Sequence, residues 1–242
     1  MENILVLDSI HTFIGQFHIL EGVSINVPRD SITVLLGRNG AGKTTTLKSI
    51  IGLTPPRHGK VIFDGEEVQG KRAYDIAGLG IGYVPEHRAV FRNLSVMENL
   101  KIAEKKRGDL ERKSDFIFGL FPDLKRLYKL PGNHLSGGQQ QMLAVARALV
   151  ADNKLLLIDE PSEGLAPILI EQMMVAIKEL SKTTTILLVE QNFIMASQLG
   201  ETFYIIDDGK TVHNGKMADL VKNEALVKQY LGVSIGKGGG EQ

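Results

Sequence analysis

The sequence contains no cysteine. This absence excludes disulfide bonds, cysteine-ligated zinc sites and catalysis by a thiol. An excess of charge of either sign is also lacking, because 28 lysines and arginines balance 28 aspartates and glutamates. A net charge of zero argues against a protein that binds nucleic acid through an extensive basic surface. We therefore expect no nucleic-acid partner.

Long apolar segments are lacking as well. The uninterrupted apolar runs extend over only a few residues, whereas a membrane-spanning helix needs about 20. The first ten residues, MENILVLDSI, carry an acidic residue at position two and have no basic segment of the kind that opens a signal peptide. We therefore expect a cytoplasmic protein that acts at a membrane only through a partner.

Apolar side chains are nevertheless abundant enough for a folded core, at 43% of the 242 residues. This length suits one large domain, or one domain with an insertion. Alternating or continuous apolar patterns predict strands over 4–14, 22–28, 81–84, 154–158 and 185–189. Asp64-Gly65 and Asp208-Gly209 lie between further short apolar segments and predict hairpins.

The pattern changes in the middle of the chain. Ser95 and Glu98 have the spacing of a helix capping box, and helices are predicted over 96–107, 110–120 and 123–129. No strand pattern interrupts these helices. The predicted organisation is therefore a nucleotide-binding α/β core (1–87 and 151–232), a helical subdomain (88–150) and a flexible tail (233–242).

Residues 37–45 read GRNGAGKTT, between an apolar segment of strand length and a segment that suits a helix. A glycine-rich loop in this position binds phosphate with its backbone N–H groups, and the start of the helix adds the positive end of its dipole. In such a loop the lysine reaches the β- and γ-phosphates, and the next hydroxyl binds Mg²⁺. The sequence therefore predicts that Lys43 binds phosphate and that Thr44 binds Mg²⁺.

A second anion site is indicated by Leu135-Ser136-Gly137-Gly138-Gln139. Ser136 and Gln139 have capping-box spacing, which puts Ser136 at the positively polarised start of a helix. A well-capped helix alone would explain this spacing but not a second anion site. Two such sites make sense if each serves a nucleotide that another copy holds.

Two adjacent carboxylates, Asp159 and Glu160, follow the apolar segment KLLLI. One carboxylate can hold a Mg²⁺-bound water, and the other can orient or deprotonate an attacking water. An acidic pair after a strand is weak evidence by itself, since such pairs are common in turns. Its position after LSGGQ strengthens the interpretation.

Together, GRNGAGKTT, LSGGQ and LLLIDEP resemble the ATP-binding cassette (ABC) ATPase family over about 1–232. The resemblance implies an α/β fold of the P-loop NTPase (RecA-like) type, with an antiparallel β subdomain and a helical insertion. It also implies that the chain hydrolyses ATP with Mg²⁺. Two cassettes would pair head to tail, with Ser136 and Gly138 of one at the γ-phosphate held by the other.

The resemblance assigns a role to each motif residue. The nucleotide-binding residues would be Ile14, Gly37, Arg38, Asn39, Gly40, Ala41, Gly42, Lys43, Thr44 and Thr45. The signature residues, which act on the partner's ATP, would be Leu135, Ser136, Gly137, Gly138 and Gln139. Thr44, Glu86 and Asp159 would hold Mg²⁺, and Glu160 and Gln191 would be catalytic.

Four positions depart from the usual family pattern. Glu86 replaces a glutamine that binds Mg²⁺, and Gln191 replaces a histidine near the γ-phosphate. Ile14 replaces the aromatic residue that stacks on adenine, with Phe13 beside it as an alternative. The loop Ser162–Ala166 reads SEGLA where the family usually has SALD, so its contacts across a dimer are less certain.

The segments VPE, EPSEGLAP and VEQN and a C-terminal YLG resemble one subfamily, the second ATPase subunit of branched-chain amino acid importers. The implied partners are membrane permease subunits, a second cassette and, indirectly, a solute-binding protein, at the cytoplasmic face of the membrane. The alternatives are a cassette for urea or short amides, a soluble ABC ATPase acting on ribosomes or DNA, and an assembly module without turnover. An intact Glu160 argues against the last of these.

Two other features remain open. Residues 88–135 carry eleven lysines and arginines but six aspartates and glutamates. A solvated helical face explains this excess most simply, and a docking surface is the alternative. The six histidines show no metal-ligand spacing, so we expect them to be surface or core residues.

Overall fold

The computed structural model describes residues 2–87 and 89–232, which form two β-sheets and a series of helices. The predicted flexible tail, 233–242, lies outside the described residues. The strands are β1 (Asn3–Ile14), β2 (Phe17–Pro28), β3 (Ile32–Leu36), β4 (His58–Phe63), β5 (Glu66–Glu67), β6 (Ile81–Val84), β7 (Leu155–Asp159), β8 (Thr185–Val189), β9 (Thr202–Asp207) and β10 (Lys210–Lys216).

The helices alternate with these strands in the chain. They are α1 (Lys43–Ile50), α2 (Ala73–Gly78), α3 (Val96–Lys101), α4 (Asp109–Leu120), α5 (Pro122–Arg126), α6 (Gly137–Val150), α7 (Pro167–Leu180), α8 (Phe193–Leu199), α9 (Met217–Leu220) and α10 (Glu224–Leu231). A short 3₁₀ turn, Gly132–His134, precedes α6. Within residues 2–87 and 89–232, no helix is long and apolar enough to cross a membrane.

The larger sheet has the strand order β10-β9-β3-β8-β7-β6. Its strands run parallel except β10, which is an antiparallel edge strand. Every residue of β3, β7 and β8 is buried, because helices and the second sheet cover both faces. The carboxyl ends of neighbouring parallel strands meet at one edge, which brings together the loops after β3, β6, β7 and β8.

The smaller sheet is antiparallel, with the order β2-β1-β4-β5. β2 begins at Phe17, five residues before the predicted start of this strand, and Phe17 pairs with Ile14 across the turn. The prediction missed this extension because Phe17 and His18 are both exposed, so the apolar alternation that marks a half-buried strand is absent there. Both predicted hairpins form, between β4 and β5 and between β9 and β10.

The helical segment differs from the prediction at its first helix. The capping box of Ser95 and Glu98 is present, but α3 ends at Lys101 and not at residue 107. The Glu104 carboxylate accepts hydrogen bonds from the N–H groups of Gly108 and Leu110, so this acid stabilises a turn and not a longer helix. The prediction also missed α2, in which Ile76 is the buried residue and the apolar period is therefore too weak to read.

In the part of the chain that the structure describes, the α-helices α3 to α6 lie between β6 and β7. Their apolar side chains share one cluster with residues of the parallel sheet, including Val84 of β6 and Ile158 of β7. The division into a core of 1–87 and 151–232 and a helical subdomain of 88–150 remains a prediction. The order of the elements agrees with it.

Candidate functional site

The loop between β3 and α1 follows a path that only glycine permits at two positions. Gly37 has φ of 152°, and a Cβ there would lie 2.3 Å from the carbonyl oxygen of Ile206. Gly42 has φ of 109°, and its Cβ would lie 2.7 Å from Leu20 Cδ2. Strand β9 and strand β2 therefore pack directly against the loop backbone, and any side chain at these positions would push the loop open.

The side chain of Lys43, the first residue of α1, turns back and contacts the backbone of the preceding loop. This side chain is 4% exposed. The Nζ atom donates hydrogen bonds to the carbonyl oxygens of Gly37 (3.0 Å) and Arg38 (3.1 Å). It also lies 3.2 Å from Glu160 Oε1. A buried ammonium needs a counter-charge, which Glu160 supplies here and which an anionic ligand in the loop could supply instead.

Asp159, at the end of β7, has a raised pKa. Its Oδ1 accepts a hydrogen bond from Thr44 Oγ1 (3.1 Å), and its Oδ2 accepts one from the Tyr83 hydroxyl (3.3 Å). Burial raises the pKa of the Asp159 carboxyl from 3.8 to about 6, and the two hydrogen bonds and the charges of Glu160 and Glu86 modify this value. Burial and the neighbouring Asp159 charge raise the pKa of Tyr83 in turn.

This pKa predicts how Asp159 affects stability in the absence of ligand. Between pH 3.8 and about 6 the folded chain binds more protons at Asp159 than the unfolded chain does. The ionised carboxylate therefore lowers the free energy of unfolding at neutral pH. This destabilisation disappears when acid protonates the carboxyl in both states. We expect Asp159→Asn to stabilise the protein at pH 7.5 by on the order of 1–2 kcal/mol. The gain should shrink as the pH falls from 7 to 4.5.

Thermal melts of the two proteins over this pH range, with nucleotide and metal removed, measure this difference. Asp115→Asn, at an exposed position of α4, is the matched control for the loss of one carboxylate. A gain for Asp159→Asn that stays constant from pH 7 to 4.5 would contradict the raised pKa.

Glu160 directly follows β7 and has φ of 47°, in the left-handed region that a non-glycine residue rarely adopts. Its N–H donates to the carbonyl oxygen of Val189 (2.9 Å), which ties this residue to the end of β8. The amide Nε2 of Gln191 donates a hydrogen bond to Glu160 Oε2. The Glu160 carboxylate is therefore held between a cation and a neutral amide, Lys43 and Gln191.

Glu86, Glu160 and Glu163 form an acidic group in which one carboxylate oxygen of each lies within 4.8 Å of the others. Burial is the main cause that raises the pKa of Glu86, and the charges of Glu160 and Glu163 add to it. The structure thus brings Glu86, after β6, to the same edge of the sheet as Glu160, after β7.

A cavity of about 450 Å³ opens at this edge. It is lined by Ile14, Ile19, Asn39, Gly40, Gly42, Lys43, Thr44, Thr45, Glu86, Glu160, Glu163 and Gln191. Most of the predicted nucleotide-binding residues and both predicted catalytic residues therefore surround one space. Asp159 lies behind this lining, where it bonds to Thr44.

Of the neighbouring side chains Phe13 and Ile14, only Ile14 lines the cavity. Ile14 is 49% exposed. The Phe13 ring instead stacks on His18, with ring centroids 4.1 Å apart, and the guanidinium of Arg57 covers it at 4.5 Å. The Phe13 ring is therefore in contact with His18 and Arg57. Ile14 and Ile19 are the apolar side chains that line the cavity.

The signature residues lie apart from this cavity, since none of the five lines it. Ser136 caps α6: its Oγ accepts from the N–H of Gln139 (3.3 Å), and the Gln139 side chain accepts from the N–H of Ser136 (3.0 Å). Gly138 packs so closely on α7 that a Cβ would lie 2.2 Å from Leu169 Cδ1. The capping box is confirmed, and its residues do not line the cavity of their own chain.

Two of the predicted magnesium ligands, Thr44 and Asp159, lie close together. Thr44 Oγ1 and Asp159 Oδ1 are 3.1 Å apart. Adjacent ligands of an octahedral Mg²⁺ with bonds of about 2.1 Å lie roughly 3 Å apart. The two oxygens therefore have the separation that one ion requires.

Sequence reasoning missed several residues of this region: Ile19, Tyr83, Glu163 and Glu190. Ile19 and Tyr83 carry no motif, and their positions follow only from the pairing of strands that are distant in sequence. Glu163 had a signal, because it stands where the usual SALD pattern has a small apolar residue. Glu190 had a weaker one, as an acid directly after an apolar strand.

Comparisons with known proteins agree with this geometry. A family model described as ABC transporter matches residues 20–163. The chain is 39% identical over 231 residues to the high-affinity branched-chain amino acid transport ATP-binding protein BraG of Pseudomonas aeruginosa, covering 94% of this chain and 99% of that protein. It is 37% identical over 222 residues to the probable branched-chain amino acid transport ATP-binding protein LivF of Archaeoglobus fulgidus, covering 90% and 94%. Among solved structures, the ADP conformation of MJ1267, an ATP-binding cassette of an ABC transporter, superposes with a TM-score of 0.84 at 26% identity, over 98% of this chain and 100% of that one.

Proposed function

This chain belongs to the ABC transporter family of ATP-hydrolysing cassettes, and we propose that it powers an importer of branched-chain or other apolar amino acids. The observation that carries the solute class is the identity to BraG and LivF along almost the whole chain. Glu86 and Gln191, which stand where the usual family pattern has a glutamine and a histidine, both line the cavity.

In the proposed site the phosphate loop binds the triphosphate of ATP. Backbone N–H groups of such a loop can bind phosphate oxygens at the start of α1, and the dipole of α1 adds a partial positive charge. Lys43 would exchange its hydrogen bonds to the carbonyl oxygens of Gly37 and Arg38 for contacts with phosphate oxygens. Ile14 and Ile19 would make apolar contact with the adenine.

Thr44, Glu86 and Asp159 would hold Mg²⁺, which supplies positive charge to the phosphate oxygens during transfer. The predicted pair of oxygens, on Thr44 and Asp159, has the right separation. Asp159 must be ionised to bind a cation, so its raised pKa implies that loading releases a proton below pH 6.

Glu160 would act as the general base toward the attacking water. Its carboxylate faces the cavity but is paired with Lys43 at 3.2 Å. When phosphate draws Lys43 away, one oxygen of Glu160 becomes available to accept a proton. The Gln191 amide donates to the other oxygen and keeps the carboxylate oriented without a charge of its own.

The signature residues would complete the site of a second cassette. They lie outside their own cavity, and Ser136 sits at an exposed, positively polarised helix start. A head-to-tail pair would use each chain's Leu135–Gln139 at the other chain's ATP. In a transporter with two different ATPases, the second cassette would be another chain.

The membrane partners would be permease subunits on the cytoplasmic face, fed by a solute-binding protein. The helical segment after Glu86 is the proposed docking region, and its excess of basic residues over 88–135 agrees with an interaction surface. Closure of the pair on ATP and opening after hydrolysis would drive the permease.

A reconstituted transporter tests the solute class. We expect slow ATP hydrolysis by the isolated chain, because no permease holds two cassettes in register. Hydrolysis should rise several-fold when the permease, partner cassette and solute-binding protein are present together with leucine. The controls are the reconstituted transporter without added solute and the reconstituted transporter in which this chain carries Glu160→Gln.

The competing functions give different results in the same assay. Stimulation by urea but not by leucine would contradict the amino acid assignment and leave a transporter ATPase. Stimulation by ribosomes or DNA in place of the permease would contradict the transporter role altogether.

A further inference from the structure

Glu190 is a buried carboxylate that the proposed chemistry does not use. It directly follows β8 and is 1% exposed. Its side chain accepts four hydrogen bonds, all from neutral donors. Burial raises the pKa of Glu190, and these donors oppose that rise. An ionised side chain in such a position is costly unless it is well bonded, and these hydrogen bonds offset that cost.

The four donors come from two loops. Ser162, in the loop after β7, gives its N–H to Oε1 (3.1 Å) and its hydroxyl to Oε2 (2.9 Å). The N–H groups of Gln191 and Asn192, in the loop after β8, both donate to Oε2 at 3.0 Å. One carboxylate therefore joins the loop that carries Glu160 to the loop that carries Gln191.

The same two loops meet a second time, at the cavity. There the Gln191 amide donates to Glu160 Oε2. The backbone of Gln191 is fixed by Glu190 one residue earlier, and Asn192 begins α8 by accepting a hydrogen bond from the N–H of Met195 (3.2 Å). Because Gln191 is exposed and its side chain has several rotatable bonds, the position of its backbone limits where the amide can reach.

We propose that Glu190 is a positioning residue for ATP hydrolysis: by tying Ser162 to the backbone of Gln191, it holds the Gln191 amide against Glu160. The inference rests on the proposed roles of Glu160 and Gln191. A glutamine at position 190 would keep the shape of the side chain but turn an NH₂ group toward N–H donors, so the clamp would open. Removing the Ser162 hydroxyl would weaken it without burying anything new.

The expected signature is a loss of turnover without a loss of ATP binding. Lys43 and the phosphate loop make no hydrogen bond to Glu190 within the described residues, so the Kd for Mg·ATP should change by less than about twofold. We expect kcat to fall roughly 100-fold in Glu190→Gln and about 10-fold in Ser162→Ala, since hydrogen bonds to a charged acceptor are at stake. Ser181→Ala, which removes a hydroxyl bonded to Lys178 within α7 and its cap, is the matched control.

A double-mutant cycle distinguishes positioning from a merely structural role. The test measures kcat and the Kd for Mg·ATP of the purified full chain for each variant alone and in a Gln191→Ala background. If Glu190 acts through Gln191, both Glu190→Gln and Ser162→Ala should have almost no further effect once the amide is gone. Ser162→Ala gives the answer even if Glu190→Gln proves too unstable to purify.

Four outcomes decide the matter. Losses that disappear in the Gln191→Ala background support the inference. Losses that multiply there overturn it and leave the proposed function standing, as would a rise in Kd that matches the fall in kcat. If Gln191→Ala alone leaves kcat unchanged, the proposed role of Gln191 fails and the inference fails with it.

Discussion

Replacing Glu160 with glutamine should lower kcat for ATP hydrolysis by about 10²–10⁴-fold, the range that a general base contributes. The substitution keeps the size of the side chain and a hydrogen-bonding group beside Gln191, but it removes the only function that the proposal gives to the carboxylate. Binding of Mg·ATP should be retained or become tighter. The reason is that Lys43 no longer has to break its ion pair with Glu160, at 3.2 Å, to reach phosphate. Steady-state turnover and the Kd for Mg·ATP, measured on the same preparation, check both parts.

The control for this variant is Glu179→Gln on α7, which also removes one negative charge from a salt bridge, with Lys182, at a residue that does not line the cavity. It should hydrolyse ATP at the wild-type rate. Turnover by Glu160→Gln within tenfold of wild type would contradict the assignment of Glu160 as the base.

Replacing Lys43 with alanine should weaken Mg·ATP binding by about 100-fold, the equivalent of one strong hydrogen bond from a charged donor. The same change removes the cation that balances the Glu160 carboxylate, so some loss of stability is expected as well. Equilibrium dialysis measures the affinity, and a thermal melt shows whether the variant is folded at the temperature used.

Lys48→Ala is the matched control, because Lys48 lies on the same helix, α1, but does not line the cavity. It should bind Mg·ATP with wild-type affinity. Unchanged affinity in folded Lys43→Ala would remove Lys43 from the phosphate site.

The features that could be predicted from the sequence are local ones. The glycine loop before α1, the Ser136 capping box and the buried strand that ends at Asp159 each depend on residues that are close neighbours in the chain. Their physical causes act over a few residues: φ angles open to glycine, a hydroxyl that reaches the third N–H of a helix, and apolar runs that need cover on both faces. The fold class followed from the same motifs.

The contacts that decide the chemistry could not be predicted, because they join residues far apart in sequence. Lys43 forms an ion pair with Glu160. The Phe13 ring packs against His18 and Arg57, and Ile14 lines the cavity instead. These arrangements depend on which strands are neighbours in each sheet, which no short pattern specifies. The role of a side chain such as Glu190 becomes visible only when the two loops that it joins are seen together.

The central claim is a division of labour in one cavity, with Lys43 binding ATP and Glu160 hydrolysing it. The most direct test is one equilibrium dialysis experiment with labelled Mg·ATP on wild type, Lys43→Ala and Glu160→Gln, with the free phosphate in each sample measured at the end. We predict tight binding and phosphate release for wild type, tight binding with almost no phosphate for Glu160→Gln, and weak binding for Lys43→Ala. Equal binding and equal phosphate release by all three proteins would contradict the account.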